Sequence, residues 1–190
     1  MNSKLNLVFI FLFTIFLAGC AYTPHKTNLL INAPVSSTDI GSGTKISIRV
    51  IDDRDSQIIG KRGVGNLGAN ITASDLMPII TSAIDNGFKS KKFEIVSKDN
   101  SDVHLVVKLR AFKYLISQGF FTGGEDISVV INANSRNGSK EFEQTYRYSN
   151  EERKVFIPDG SGLNDDLNAA LNSTLTQLLN DKELDNFLIQ

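Results

Sequence analysis

The chain has one cysteine, Cys20, and only two histidines, His25 and His104. A single thiol excludes an intrachain disulfide, a CxxC redox pair and a cysteine-rich zinc site together, so stability must come from packing. Histidine catalysis needs an orienting acid and a nucleophile within reach. His25 sits in a proline-containing N-terminal stretch, and His104 lies beside basic residues with Asp102 as its only near acid; both read as solvated. An excess of one charge is also missing. Lys and Arg number 20 against 21 Asp and Glu, which disfavours a nucleic-acid partner. The chain is short, too, of long apolar runs: Leu7 to Ala18, broken only by Thr14, falls below the roughly 20 residues that span hydrocarbon.

Two further patterns fail on context. Gly63-Val64-Gly65-Asn66-Leu67-Gly68 matches G-x-G-x-x-G, but that fingerprint binds pyrophosphate only where a strand runs directly into a helix N-terminus. Here the preceding strand ends well before it, and the next helical pattern begins only near Asp75. Asp52, Asp53 and Asp55 offer oxygen ligands, yet Ile58 and Val64 stand where a calcium loop needs glycine and glutamate. Pairing of these carboxylates with Arg54, Lys61 or Arg62 is the plainer account. The residues thus give no catalytic, cofactor-binding or metal site, and the chain reads as a protein that is not an enzyme.

What is present begins at the N-terminus. Lys4 precedes the apolar run, as in a secretory leader, and Leu17-Ala18-Gly19-Cys20 follows it. Together these resemble the lipobox of bacterial lipoproteins. The resemblance implies cleavage before Cys20 and a covalent diacylglycerol and N-acyl chain on that residue. Two or more chains anchor stably where one does not, so a membrane is the first implied partner. Ala21, where an aspartate would signal retention, resembles the pattern sent to the outer membrane in enteric-type bacteria, with the domain facing the periplasm. Loss of Lys4 with the leader takes the net charge from −1 to −2. The expected organisation is a signal peptide over 1–19, a lipidated cysteine and tether over 20–44, and a single domain over 45–190, long enough for its own core. Within the tether, Leu29-Leu30-Ile31 is an apolar island suited to an added edge strand.

Period and turn signals set the fold class. Lys45 to Ile51 alternates as a strand, followed by the glycine-rich stretch Gly60–Gly68. Leu76, Ile79, Ile80, Ala83, Ile84 and Phe88 share one helical face, with Asp75 as N-cap and Pro78 in the first turn. Val103 to Ala111 alternates, then shifts phase to Phe112 and Tyr114, which predicts a bulge or bend. Asn137-Gly138 predicts a two-residue hairpin loop with Arg136 facing Ser139, Val129 facing Tyr146 and Ala133 facing Phe142. Ser128, Asn132 and Asn134 then lie on the other, polar face. After Pro158-Asp159-Gly160 a final helix starts near Asn164 or Asp165, with Leu167, Ala170, Leu171, Thr174, Leu175 and Leu178 on its apolar stripe. The sum is an α+β two-layer sandwich, a mostly antiparallel sheet with two amphipathic helices on one face.

Several features recur in order and spacing over nearly all of the mature chain. They are the lipobox, the strand into Val50-Ile51-Asp52-Asp53-Arg54, the Gly87-Phe88 helix end, the Ser117-Gln118-Gly119 turn, the Asn137-Gly138 hairpin and the closing Leu184 to Phe187 after a leucine-rich helix. With these the chain resembles the YajG family of envelope lipoproteins, a likeness that implies a location without a mechanism. One loop stands out functionally: Phe120 and Phe121 lie between Gly119 and Thr122-Gly123-Gly124. They either fold under the sheet edge or present a contact surface. The leading expectation is a non-enzymatic outer-membrane lipoprotein whose domain binds an envelope protein partner. The alternative is a small amphiphile or glycan held between helices and sheet.

Overall fold

The computed structural model describes residues 24–62, 68–73, 75–101, 103–118, 123–154 and 162–190. The leader, Cys20, Gly63–Leu67, Asp102, Phe120, Phe121 and the Pro158-Asp159-Gly160 break lie outside them. The strands are β1 (His25–Lys26), β2 (Lys45–Asp52), β3 (Ile58–Arg62), β4 (Ala69–Thr72), β5 (Glu94–Ile95), β6 (Val103–Gln118), β7 (Gly123–Asn137) and β8 (Lys140–Lys154). The helices are α1 (Leu76–Ser90), α2 (Leu163–Leu179) and α3 (Lys182–Leu188).

A five-stranded sheet in the order β5-β2-β6-β7-β8 forms one layer, and a smaller sheet β1-β4-β3 joins it. β6, β7 and β8 are antiparallel neighbours, whereas β2 runs parallel to β5 and β6. The helices cover one face. α1 lies over β2 and β5, α2 over β7 and β8, and α3 over β7. This is the two-layer α+β sandwich that the patterning implies, enlarged by a third helix and a second sheet. Between the layers, Ile46, Ile84, Leu105, Ile131, Leu167, Leu171 and Leu175 form one contiguous core. Each such side chain contributes roughly 1.5–3 kcal/mol by leaving water.

The phase shift in β6 is a bulge. Leu109 pairs with Ile131 but Ala111 pairs with Val130, so Arg110 is the extra residue. Val103, Leu105, Val107 and Leu109 are buried before it, and Phe112 and Tyr114 after it. Ala111 passes to the other face.

The hairpin register differs from the expected one by two. Asn137 pairs with Lys140, the loop is Gly138-Ser139, Val129 faces Tyr148, and Ala133 faces Gln144. Of the loop residues only Gly138 has positive φ, at 59°. A two-residue loop with glycine first is the alternative to one with two positive-φ residues. Because side chains alternate with period two, a shift of two leaves every residue on its expected face. Ile127, Val129, Ile131 and Ala133 are all buried.

The stretch after β2 is more ordered than its glycines suggest. β3 and β4 pair antiparallel, and Gly60 lets β3 cross β6, since a Cβ there would stand 2.1 Å from the Tyr114 carbonyl oxygen. Asp75 precedes α1 as expected but makes no capping bond; its carboxylate pairs with Lys26 instead. α2 begins at Leu163, after Gly162 at φ 80°, slightly earlier than Asn164. Its stripe from Leu167 to Leu178 is buried as spaced.

The segment expected to be a tether is fixed to the domain from His25 onward. His25 and Lys26 pair with Ile71 and Thr72 of β4. Beyond them an extended run is held by three asparagines of α2 and its C-terminal cap. Asn168 Oδ1 accepts the Leu30 N–H at 2.8 Å, Asn172 Oδ1 that of Asn32 at 2.7 Å, and Asn180 Oδ1 that of Ser36 at 2.8 Å. Asn172 and Asn180 also donate to the carbonyls of Leu30 and Pro34. The two rulers agree. Four and eight helical residues rise about 6 and 12 Å, and two and four extended residues cover about 6.6 and 13 Å. Leu29-Leu30-Ile31 forms no strand; Leu29 is buried while Leu30 stays exposed.

The core assignment can be tested by a pair of charges. Val129→Asp should cost at least about 3 kcal/mol in urea denaturation through an unpaired buried carboxylate, while Ser149→Asp on the opposite face should stay within about 0.5 kcal/mol. Equal midpoints for the two variants would contradict the face assignment.

Candidate functional site

The helices leave the second face of the five-stranded sheet uncovered. Register places Ser47, His104, Arg136 and Glu141 in one row across it, Arg49, Val106, Asn134 and Glu143 in the next, and Ile51, Lys108, Asn132 and Thr145 in the third. Alternation alone puts polar groups here, because their neighbours along each strand are required by the core. The rows form an open trough of about 770 Å³ lined by Lys98, His104, Lys108, Asn134, Arg136 and Glu143. Its volume lies within the range of ligand sites, but such sites are mainly apolar and concave, and this one is polar and wide.

Within the trough, His104 Nδ1 lies 2.7 Å from the Ser47 hydroxyl, which fixes the ring on the sheet. The sequence places His104 on the polar face as a solvated residue; it is on that face but half-buried. Asn132 is more covered than its solvent-face position suggests. Its amide donates to Glu143 Oε1 at 3.0 Å and Thr145 Oγ1 at 3.1 Å, and its own carbonyl accepts from Asn134 at 2.5 Å. Arg136 pairs with Glu141, and Arg110 with Asp53. Arg49 and Lys108 stand in adjacent strands with no ion-pair partner among the described residues. Lys98 in the lining likewise has no ion-pair partner among the described residues, so this face offers three such cations, Arg49, Lys98 and Lys108, beside amide and carboxylate groups, a surface suited to hydrogen bonding and charge complementarity.

The acidic run after β2 is used structurally. Arg54 donates to both Asp52 oxygens at 2.7 Å and to the Ala73 carbonyl at 2.9 Å. The guanidinium holds the Asp52 carboxyl below the usual carboxylate range. Among the described residues, no group of three or more His, Cys, Asp or Glu side chains is arranged to hold a metal ion. His25 lies on β1, its Nε2 3.5 Å from Asn164 Oδ1, far in sequence from His104.

A second polar cluster lies on the helical side. Lys91, after α1, donates to both oxygens of Asp185 at 2.6 and 2.7 Å, in buried surroundings. Burial raises the Asp185 pKa, and the Lys91 ammonium opposes that. Asp181 caps α3 by accepting the Glu183 and Leu184 N–H groups, and its other oxygen accepts the Tyr146 hydroxyl at 2.6 Å. Nothing in the sequence pattern marked this cluster, because its members come from three distant segments. It fastens α3 to α1 and β8.

Tyr146 gives the cluster a pH signature. Burial and the Asp181 acceptor raise its pKa above the ordinary value of 10. The folded state therefore keeps the proton longer than the unfolded state does. Its contribution to stability is complete below pH 10 and shrinks above it, by about 1.4 kcal/mol per pH unit for one group. Stability of Tyr146→Phe, measured by denaturant titration between pH 9 and 11.5, should fall less steeply than wild type by that slope; parallel curves would show that Tyr146 ionises normally.

Comparison with known proteins supports this architecture. No curated protein matches the chain significantly. Among solved structures, a homologue of the neuraminyllactose-binding hemagglutinin from Helicobacter pylori is 8% identical with a TM-score of 0.52, over 85% of this chain and 96% of that one. A protein of Xanthomonas campestris is 14% identical with a TM-score of 0.46, over 88% and 94%. A lipoprotein of Neisseria meningitidis is 13% identical with a TM-score of 0.26, over 73% and 99%. The first of these shares the fold. A family model described as "Uncharacterized lipoprotein" matches residues 32–189, and with a match of that extent the chain belongs to this lipoprotein family.

Proposed function

We propose that the protein is an outer-membrane lipoprotein, acylated at Cys20 and facing the periplasm, whose domain is a non-enzymatic module that binds an envelope protein through the uncovered sheet face. Membership of a lipoprotein family and the Leu17-to-Cys20 sequence support the anchor. Ala21 supports the outer membrane over the inner one. The observation that carries the binding reading is the polar trough with Lys98 and Lys108 in its lining and Arg49 in the adjacent strand, each without an ion-pair partner among the described residues. Glu141 and Asp53 neutralise Arg136 and Arg110 on this face, and cations in adjacent strands without such a partner suit an acidic patch on a binding protein.

The alternative of an amphiphile or glycan between helices and sheet meets a filled space. Leu105, Ile131, Leu171 and Leu175 are each at most 1% exposed there, and the polar trough lies on the other face. Phe120 and Phe121, outside the described residues, join the proposal as a second contact element, since a glycine-flanked aromatic pair has no need to be aromatic in water alone.

Two experiments test this reading. Cys20→Ser should accumulate unprocessed protein and lose acyl chains, read by mass spectrometry and membrane fractionation; a mature-sized, membrane-bound variant would contradict the anchor. Crosslinking in intact envelopes should give a partner band with wild type that Arg49→Glu/Lys108→Glu abolishes while stability changes by less than about 1 kcal/mol. Phe120→Ser/Phe121→Ser should also weaken the band at unchanged stability. A loss of about 3–5 kcal/mol per ring would place these rings in the core instead.

A further inference from the structure

We propose that the domain stands directly on the membrane, its β1 end against the phospholipid headgroups and its β7–β8 hairpin end pointing away. The inference rests on acylation at Cys20. Only residues 21–24 separate Cys20 from His25, and an extended chain covers at most about 3.6 Å per residue, so the two Cα atoms lie within about 18 Å. Much of that distance is spent in the headgroup layer, about 5–8 Å deep on each side of the hydrocarbon.

The structure removes the slack that would let the domain float free. His25 and Lys26 are paired to β4, and the Thr27 N–H donates to the Thr72 carbonyl at 3.1 Å. From Leu30 to Ser36 the chain is bonded along α2 by Asn168, Asn172 and Asn180. A coil of two dozen residues would have held the domain some 25–30 Å off the surface; here that length is spent on the domain itself.

The same contacts give the molecule a direction. His25 meets Asn164 at the start of α2, and the strap runs beside the helix toward its end. There α3 follows and reaches the hairpin: Asn137 donates to the Phe187 carbonyl at 3.4 Å, and Lys140 to Gln190 at 2.9 Å. The anchor and the hairpin are therefore at opposite ends. His104, Arg136 and Glu141 of the trough belong to the hairpin end, since Val103 pairs with Asn137. The binding face is thus held tens of ångströms above the lipid, at about 3.4 Å for each strand residue between the ends. At the lipid end Lys26 is already paired with Asp75, and the short covalent link enforces the contact.

The test uses the full acylated protein in vesicles of phosphatidylethanolamine and phosphatidylglycerol. Asn28→Cys and Ser139→Cys, both at exposed positions, each carry a thiol-linked fluorophore, and the vesicles carry lipids with a headgroup nitroxide that quenches at short range. The label at residue 28 should be quenched at least threefold more than that at 139, equally with or without the anionic lipid. A twenty-residue Gly/Ser insertion between Tyr22 and Thr23 should reduce quenching at 28 to the level at 139. Equal quenching at the two positions, or quenching at 28 that survives the insertion, would overturn the proposal. Flotation separates the two levels of inference: protein that floats without quenching refutes the orientation alone, and protein that fails to float refutes the anchor and the orientation together.

Discussion

The bulge at Arg110 is the constraint on which the sheet depends. β6 is long enough to serve two regions, and without an inserted residue its alternation would carry Ala111, Lys113 and Leu115 into the core. One extra residue moves Phe112 and Tyr114 inward instead and leaves Lys113 and Leu115 exposed. β2 stops alongside Leu109. Beyond it β3 crosses the far half of β6, with Gly60 against the Tyr114 carbonyl. The second sheet, and the strap that joins it through β1, are seated on the half of β6 beyond that change of phase.

Period-two and period-3.6 patterns were legible because each is repeated many times: the two long helices, the alternating faces of β6, β7 and β8, and the bulge itself. Features decided by one residue or by a distant partner were not. Asn137-Gly138 favours one hairpin loop, but a glycine can serve in the first position as well as the second, and the next register uses it there. Asp75 is a good cap by type, yet Lys26 takes its carboxylate. β3 and β4 are short and separated by glycines, and pair only because a larger sheet lies beneath them. The small helix α3 depends on Asp181, which caps it and holds Tyr146 at once.

The strap shows how a binding pattern can be hidden in plain composition. Asn168, Asn172 and Asn180 stand on one side of α2 at multiples of four, outside its apolar stripe. A polar stripe of that kind usually means solvent. Asparagine differs from the charged residues in offering both a donor and an acceptor, which is what an unpaired backbone requires. Three side-chain amides thus do for Leu30, Asn32 and Ser36 what a neighbouring strand would do. As for the site, the polar face was evident from alternation, but the trough needed the pairing of β6 with β7 and β8 to bring His104, Asn134 and Glu143 together. Cys20, Phe120 and Phe121 lie outside the described residues and stand on sequence alone.

The buried Lys91–Asp185 pair raises the question of why a core should contain two charges. Removing two ions from water costs more than their attraction returns unless each is well bonded, and apolar replacements are often no worse. The geometry explains the choice here. α3 is seven residues long, too short to fix its own position by apolar contact, since greasy surfaces slide and rotate with little penalty. An ammonium that donates to both carboxylate oxygens accepts only one placement. Asp181, bonded to Tyr146 at the other end, supplies a second fixed point. Two directional contacts determine the orientation of a short helix where burial would leave it loose. They also hold α3 against the hairpin, where Asn137 donates to the Phe187 carbonyl, at the end of the sheet at which His104, Arg136 and Glu141 form the trough.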